Sequence, residues 1–131
     1  MAMETMDRSA TGADRMMRLQ IPDIPSSPNG PRGTIRMHWA SRKRYNDLWK
    51  TLVRAAYDNR NKPQTKRCSV KIVQMRRRKL DKDNLYSSCK PVLDALKYWK
   101  LIKDDSTEWI DLEVEQAIGK EKWTIIQIEE L

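Results

Sequence analysis

The chain has no phenylalanine, one histidine (His38) and only two cysteines, Cys68 and Cys89. Two cysteines do not make a disulfide framework; they read as reduced thiols of a cytoplasmic protein. One histidine with two cysteines 21 positions apart is too little for a structural zinc site. No apolar run approaches the ~20 residues of a membrane span. No secretory signal opens the chain, and no internal repeat divides it. At 131 residues it is long enough for one compact domain and too short for two. Without phenylalanine, the tryptophans Trp39, Trp49, Trp99, Trp109 and Trp123 are expected to supply core volume.

Charge is what the chain has in excess, and it is unevenly placed. Lys and Arg number 26 against 18 Asp and Glu, a net charge of +8. From Arg60 to Lys79 there are nine cations and no acid; from Asp104 onward there are nine acids and two cations. A basic segment of this kind suits nucleic acid, with an anionic membrane surface the weaker alternative.

Periodicity predicts an α+β fold. Residues 1–15 are polar and aperiodic and read as a disordered leader; residues 16–131 read as a single domain. Met16 to Ile21 reads as a strand, followed by a loop rich in proline (Pro22, Pro25, Pro28, Pro31). Thr34 to Trp39 reads as a second strand. Ser41 is a candidate N-cap for a helix over 42–58, whose inner face is Tyr45, Leu48, Trp49, Leu52, Val53, Ala56 and Tyr57. Asn59 to Lys66 reads as a polar loop. A strand is expected over 68–75, then a helix over about 87–100 with an irregular turn at 84–88, since Pro91 is tolerated only near a helix start. Lys103 to Ser106 reads as a turn. Strands over 109–118 and 123–128 flank a hairpin-like turn. The expected architecture is a small mixed β-sheet packed by two main helices.

The segment Arg76-Arg77-Arg78-Lys79-Leu80-Asp81-Lys82-Asp83-Asn84-Leu85 carries the chemistry. Carboxylates bind hard divalent metals and cations bind phosphate, and here both fall within ten residues. In an extended stretch Asp81 and Asp83 would point to one face. A third oxygen donor would come from the Asp104-Asp105 turn. The segment is not a calcium EF-hand loop: counting from Asp81, position six is Tyr86 rather than glycine and position twelve is Val92 rather than glutamate. Taken singly, each element also has a plain structural reading. Asp and Asn cap helices and make turns, and a basic run is commonly a solvated edge.

The ordered set of these elements resembles the RusA family of Holliday-junction resolvases. The quoted residues are the basic run, Asp81-Lys82-Asp83-Asn84-Leu85, Lys90, Asp94-Ala95-Leu96 and Asp104-Asp105. Upstream, Pro25-Ser26-Ser27-Pro28-Asn29 is similar to that family's loop after its first strand. The resemblance covers most of residues 18–130 and is specific over 76–106. It implies a RusA-like nuclease domain, homodimeric and dependent on Mg²⁺ (Mn²⁺ being possible), which cuts four-way DNA junctions by paired symmetric nicks. Asp81, Asp83 and Asp105 would hold the metal, Lys90 would complete the catalytic set, and Arg76, Arg77, Arg78 and Lys79 would bind flanking phosphates. The chain departs from the pattern at Lys82, at the absent glycine before the Asp-Asp turn, and in three additional residues between Asp83 and Lys90. A DNA- or RNA-binding module without catalysis, and a less structure-specific nuclease of the same fold, are the alternatives.

Overall fold

The computed structural model describes residues 16–28, 37–57 and 66–131. The expected leader, most of the polar loop at 59–66 and residues 34–36 of the expected second strand lie outside them. The elements are β1 (Met16–Ile21), α1 (Trp39–Ala56), β2 (Cys68–Arg76), α2 (Lys82–Ser88), α3 (Lys90–Tyr98), β3 (Ile110–Ile118) and β4 (Trp123–Glu130). They form a mixed four-stranded sheet in the order β1-β4-β2-β3, with helices packed on it, an α+β fold.

Alternation builds the sheet. In β2 the residues Cys68, Val70, Ile72, Gln74 and Arg76 are buried while those between them are half-exposed. β4 runs antiparallel to both β1 and β2, and β3 runs parallel to β2, pairing Cys68 with Ile110 through to Arg76 with Ile118. A parallel partner requires a crossover, and α2 with α3 supplies it. Leu19, Ile72, Ile126 and Ile128 are fully buried beneath the helices, each removal from water being worth about 1.5–3 kcal/mol.

Helix α1 begins earlier than its periodicity suggests. His38, not Ser41, is the cap: its Nδ1 accepts from the Ala40 N–H at 3.3 Å, and its carbonyl accepts from the Arg42 N–H at 2.9 Å. Trp39 therefore starts a helix instead of ending a strand, and it is 72% exposed. Trp49 and Val53 enter the core as expected, whereas Leu48 stays outside. Of the five tryptophans only Trp49 is fully buried; Trp99, Trp109 and Trp123 are half-buried.

The crossover is two helices, where one over 87–100 was expected. The first starts at Lys82, because Asp81 caps it, and the second holds Pro91 in its first turn. Pro91 has no N–H to give the Ser87 carbonyl and its ring would crowd it, so the helix breaks at Cys89. There the Cys89 N–H closes a tight turn onto the Tyr86 carbonyl at 3.1 Å.

Helix α3 ends in a Schellman pair. The Leu101 N–H reaches the Leu96 carbonyl at 2.9 Å and the Lys100 N–H reaches that of Lys97 at 3.0 Å. Between them Lys100 adopts φ 63°, the left-handed conformation that glycine ordinarily takes here. Lys100→Gly is expected to raise stability by about 1 kcal/mol; equilibrium urea unfolding reads this as a higher midpoint at unchanged slope.

Candidate nucleic-acid and metal site

The basic run leaves the end of β2 and splits in two. Arg77, Arg78 and Lys79 are exposed and make no ion pair with a carboxylate among the described residues. Arg76 turns inward. It is 7% exposed, its Nη2 donates to the Pro25 carbonyl, and its Nε donates to Gln74 Oε1 at 2.7 Å. Strand β2 runs one residue further than expected, so Arg76 takes the buried parity of Gln74. This corrects its expected place among the phosphate-binding cations, since a guanidinium already committed to a carbonyl and an amide has no open face for a phosphate.

Arg76 belongs to a buried polar chain. Gln74 Nε2 donates to Ser88 Oγ and lies beside Cys89 Sγ, both at 3.1 Å, and Ser88 Oγ donates to the Leu85 carbonyl at 2.6 Å. One network thus joins the proline loop, the last turn of β2 and the break between α2 and α3. The loop has a second anchor, the Ser26 N–H on Tyr45 Oη at 2.7 Å. Burial, the main cause, pushes the Cys89 thiol up to about 11, against the lowering effect of hydrogen bonds from Gln74 and Ser88. Burial likewise lowers the Arg76 guanidinium from its ordinary value.

Asp81 sits where the chain enters α2. Gln116 of β3 fixes the preceding residue from both sides: its Nε2 donates to the Leu80 carbonyl at 2.8 Å and its Oε1 accepts from the Leu80 N–H at 3.0 Å. Tyr86 Oη accepts from the Val114 N–H at 3.2 Å, which seals the same edge of β3 to α2. Gln74, Ser88, Tyr86 and Gln116 were not among the residues expected from sequence. Their only signal was polarity within strand and helix patterns that otherwise bury apolar residues. An open groove of about 880 Å³ follows this edge, lined by Lys79, Asp81, Lys82, Tyr86, Glu113 and Glu115 among others.

The aspartates are distributed differently from the expectation. Asp81 is extended, and its Oδ1 accepts from the Asn84 N–H at 3.0 Å as a helix cap. Asp83 is already helical, in the first turn, so the two do not share the face of an extended stretch. Both are exposed, and a carboxylate in a helix's first turn is favoured by the axial dipole. Lys90 opens α3. Its Nζ lies 2.8 Å from Asp105 Oδ2 and 3.1 Å from Asp94 Oδ1. These contacts, Asp105 first, raise the Lys90 pKa, so it is held as a cation. The neighbouring Asp104 pairs with Lys97 at 3.0 Å.

The fold therefore brings Asp105 to Lys90, and it does not gather the three aspartates. Asp83 and Lys90 stand seven positions apart, on the separate helices α2 and α3. Among the described residues no three His, Cys, Asp or Glu side chains converge in an arrangement that could hold a metal ion. The donor chemistry at Asp81 and Asp83, exposed hard oxygens, suits a divalent cation that keeps several waters. Asp105 is committed to Lys90. No family model matches the chain, and no curated protein shows significant similarity to it.

Two outcomes are expected for the buried network. Arg76→Ala, which strands the Pro25 carbonyl and Gln74 Oε1, is expected to cost about 2 kcal/mol in urea unfolding. Because burial pushes the Cys89 thiol up to about 11 from the ordinary thiol value of 9.0, its protonated form is favoured in the folded chain. The stability it contributes is complete below pH 9 and is lost as pH rises toward 11, about 3 kcal/mol in all. Urea midpoints followed over that range are expected to fall less steeply in Cys89→Ala.

Proposed function

We propose that this chain is an endonuclease acting on branched DNA, the four-way junction above all, as a cytoplasmic homodimer that makes paired nicks. The observation that carries the reading is the Lys90–Asp105 ion pair at 2.8 Å. Two elements of the ordered motif, fifteen positions apart, lie in contact, beside a helix that begins at the Asp81–Asp83 element. The exposed cations Arg77, Arg78 and Lys79 lead into that helix and suit flanking phosphates without regard to sequence. No described helix is long and apolar enough to cross a membrane, which agrees with a partner in solution.

Asp81 through its uncapped oxygen, and Asp83, would hold a Mg²⁺ or Mn²⁺ ion, while Asp105 would keep Lys90 in place beside them. Bound there, the ion would supply charge neutralisation at the phosphate and a more acidic water. Lys90, kept protonated by Asp105 and Asp94, cannot serve as a base; it would donate to an oxygen on which negative charge grows. Arg76 would act from beneath, positioning the start of α3 through Gln74 and Ser88.

A second reading rests on Asp81 itself. Its Oδ1 already has a structural task as the α2 cap, and an aspartate so used needs no metal. Under that reading the chain is a nucleic-acid-binding module. Incubating a labelled four-way junction with the protein across a Mg²⁺ titration separates the two: nicks at paired positions support the nuclease, and intact strands at every metal concentration support the module. Asp83→Asn is expected to abolish nicking while junction binding in a gel shift persists, because the variant removes a charge from the cation site and leaves the basic run intact. Replacing Arg77 and Arg78 with alanine is expected to weaken all DNA forms alike and to lower the salt slope by about 2.

A further inference from the structure

We propose that the face of the sheet opposite the helices is the surface on which two copies of this chain pair, about a two-fold axis parallel to the strands that sets Arg18 of each copy against Glu113 of the partner subunit. The proposal rests on the homodimer of the reading above and gives it a surface; strand cleavage plays no part in it.

Strand register lays out this face in rows. Arg18, Gln127, Lys71 and Glu113 form one row across the four strands. The next is Gln20, Ile125, Val73 and Glu115, and the last is Trp123, Met75 and Ala117. Their sequence neighbours Ile72, Gln74, Thr124 and Ile126 point the other way and are buried. The face is therefore polar toward one end and apolar at the other. A sheet with antiparallel pairs can leave one face to water, and the polar rows need nothing more. The apolar rows do not fit that plain reading. Val73, Ile125, Met75, Trp123 and Ala117 are contiguous and half-buried, and the core beneath the helices does not include them.

Charge selects the occupant. The face carries Asp111, Glu113, Glu115 and Glu129 against Arg18 and Lys71. It is acidic on a chain of net charge +8, so it repels a polyanion. Lys71 is taken by Glu115 at 3.5 Å, and Asp111 by Arg67. Arg18 and Glu113 are exposed and make no ion pair among the described residues. They end one row at opposite edges of the sheet, three strand spacings or about 14 Å apart, too far to meet within one copy. Facing sheets pack with their strands nearly aligned, about 10 Å apart. A half-turn about an axis parallel to the strands keeps each row at its level and exchanges the edges, so β1 comes over β3 and β4 over β2. Arg18 then faces the partner's Glu113, and symmetry makes that contact twice. Ile125 falls on the partner's Val73 and Trp123 on the partner's Met75, apolar on apolar, while Glu129 meets the hydroxyl of the partner's Ser69. A half-turn about the other in-plane direction inverts the rows. It would lay Trp123 on the partner's Glu129 and bury a carboxylate without a cation.

The test is sedimentation equilibrium of the full chain at micromolar concentration, in EDTA and without DNA. The parent is expected to be a dimer. Arg18→Glu and Glu113→Arg each set two like-charged pairs at the contact and are expected to raise the dimer dissociation constant about tenfold. Both side chains are exposed, so the circular dichroism of the parent is expected in each variant. The double variant Arg18→Glu/Glu113→Arg restores the pairs with their charges exchanged, and its dissociation constant is expected to return to within about threefold of the parent. A monomeric parent, single variants that dimerise as the parent does, or a double variant as weak as the singles would each overturn the proposal. The last of these is the outcome for copies joined edge to edge through β1. A dimer that leaves a four-way junction uncut in Mg²⁺ sinks the hydrolytic reading alone, and a monomer that cuts it sinks this proposal alone.

Discussion

Because β3 runs parallel to β2, the chain leaving Arg76 has to cross back over the sheet before it can pair again. A hairpin cannot make that connection. The candidate site lies on the crossover it forces: the basic run at its start, Asp81 at the entry to α2, Lys90 at the entry to α3, and Asp105 in the segment that returns to the sheet. The parallel pair also leaves β3 as an edge. Tyr86 and Gln116 close that edge against α2, by the Val114 N–H and by both backbone groups of Leu80. The hydrogen bonds that complete the sheet are therefore the same ones that place Asp81.

Arg76 shows how a charge can be spent inside a basic protein. Burying a guanidinium is costly unless its donors are met, and here the Pro25 carbonyl and Gln74 meet them. The result is a rigid tie between the proline loop, the sheet and the break at Cys89. Outside it, Arg77, Arg78 and Lys79 stay solvated, where long-range attraction to phosphate survives at modest salt. Lys90 is placed differently again, between Asp94 and Asp105. A lysine so flanked holds two carboxylates together without metal.

Much of the sheet was legible from residue order. Alternation in Val70, Ile72 and in Ile110, Leu112, Val114 reports one buried face, and the observed strands β1, β2, β3 and β4 fall within a few residues of that reading. The inner face of α1 was legible for Trp49 and Val53, because a helix repeats every 3.6 residues whatever surrounds it. Trp39 and Leu48 were misplaced, since exposure depends on what happens to pack opposite. Periodicity also missed α2. Seven residues (Lys82–Ser88) are too few to show a pattern, and the aspartates that start it look the same in a cap as in a chelate. The break at Cys89 follows from Pro91, but only the full path of the crossover shows that helix resumes immediately.

Residue order by itself determined the charge, the alternation of the strands, the amphipathic face of α1 and the succession of basic run, aspartates, lysine and Asp-Asp turn. These are local properties, set by side-chain chemistry and the repeat of the backbone. Tertiary structure alone decided that Arg76 is buried while its neighbour is not, and that Asp105 meets Lys90 instead of Asp81 and Asp83. Each depends on which distant segments pack together, and that is settled by the register of a parallel strand pair whose partners lie more than thirty positions apart along the chain.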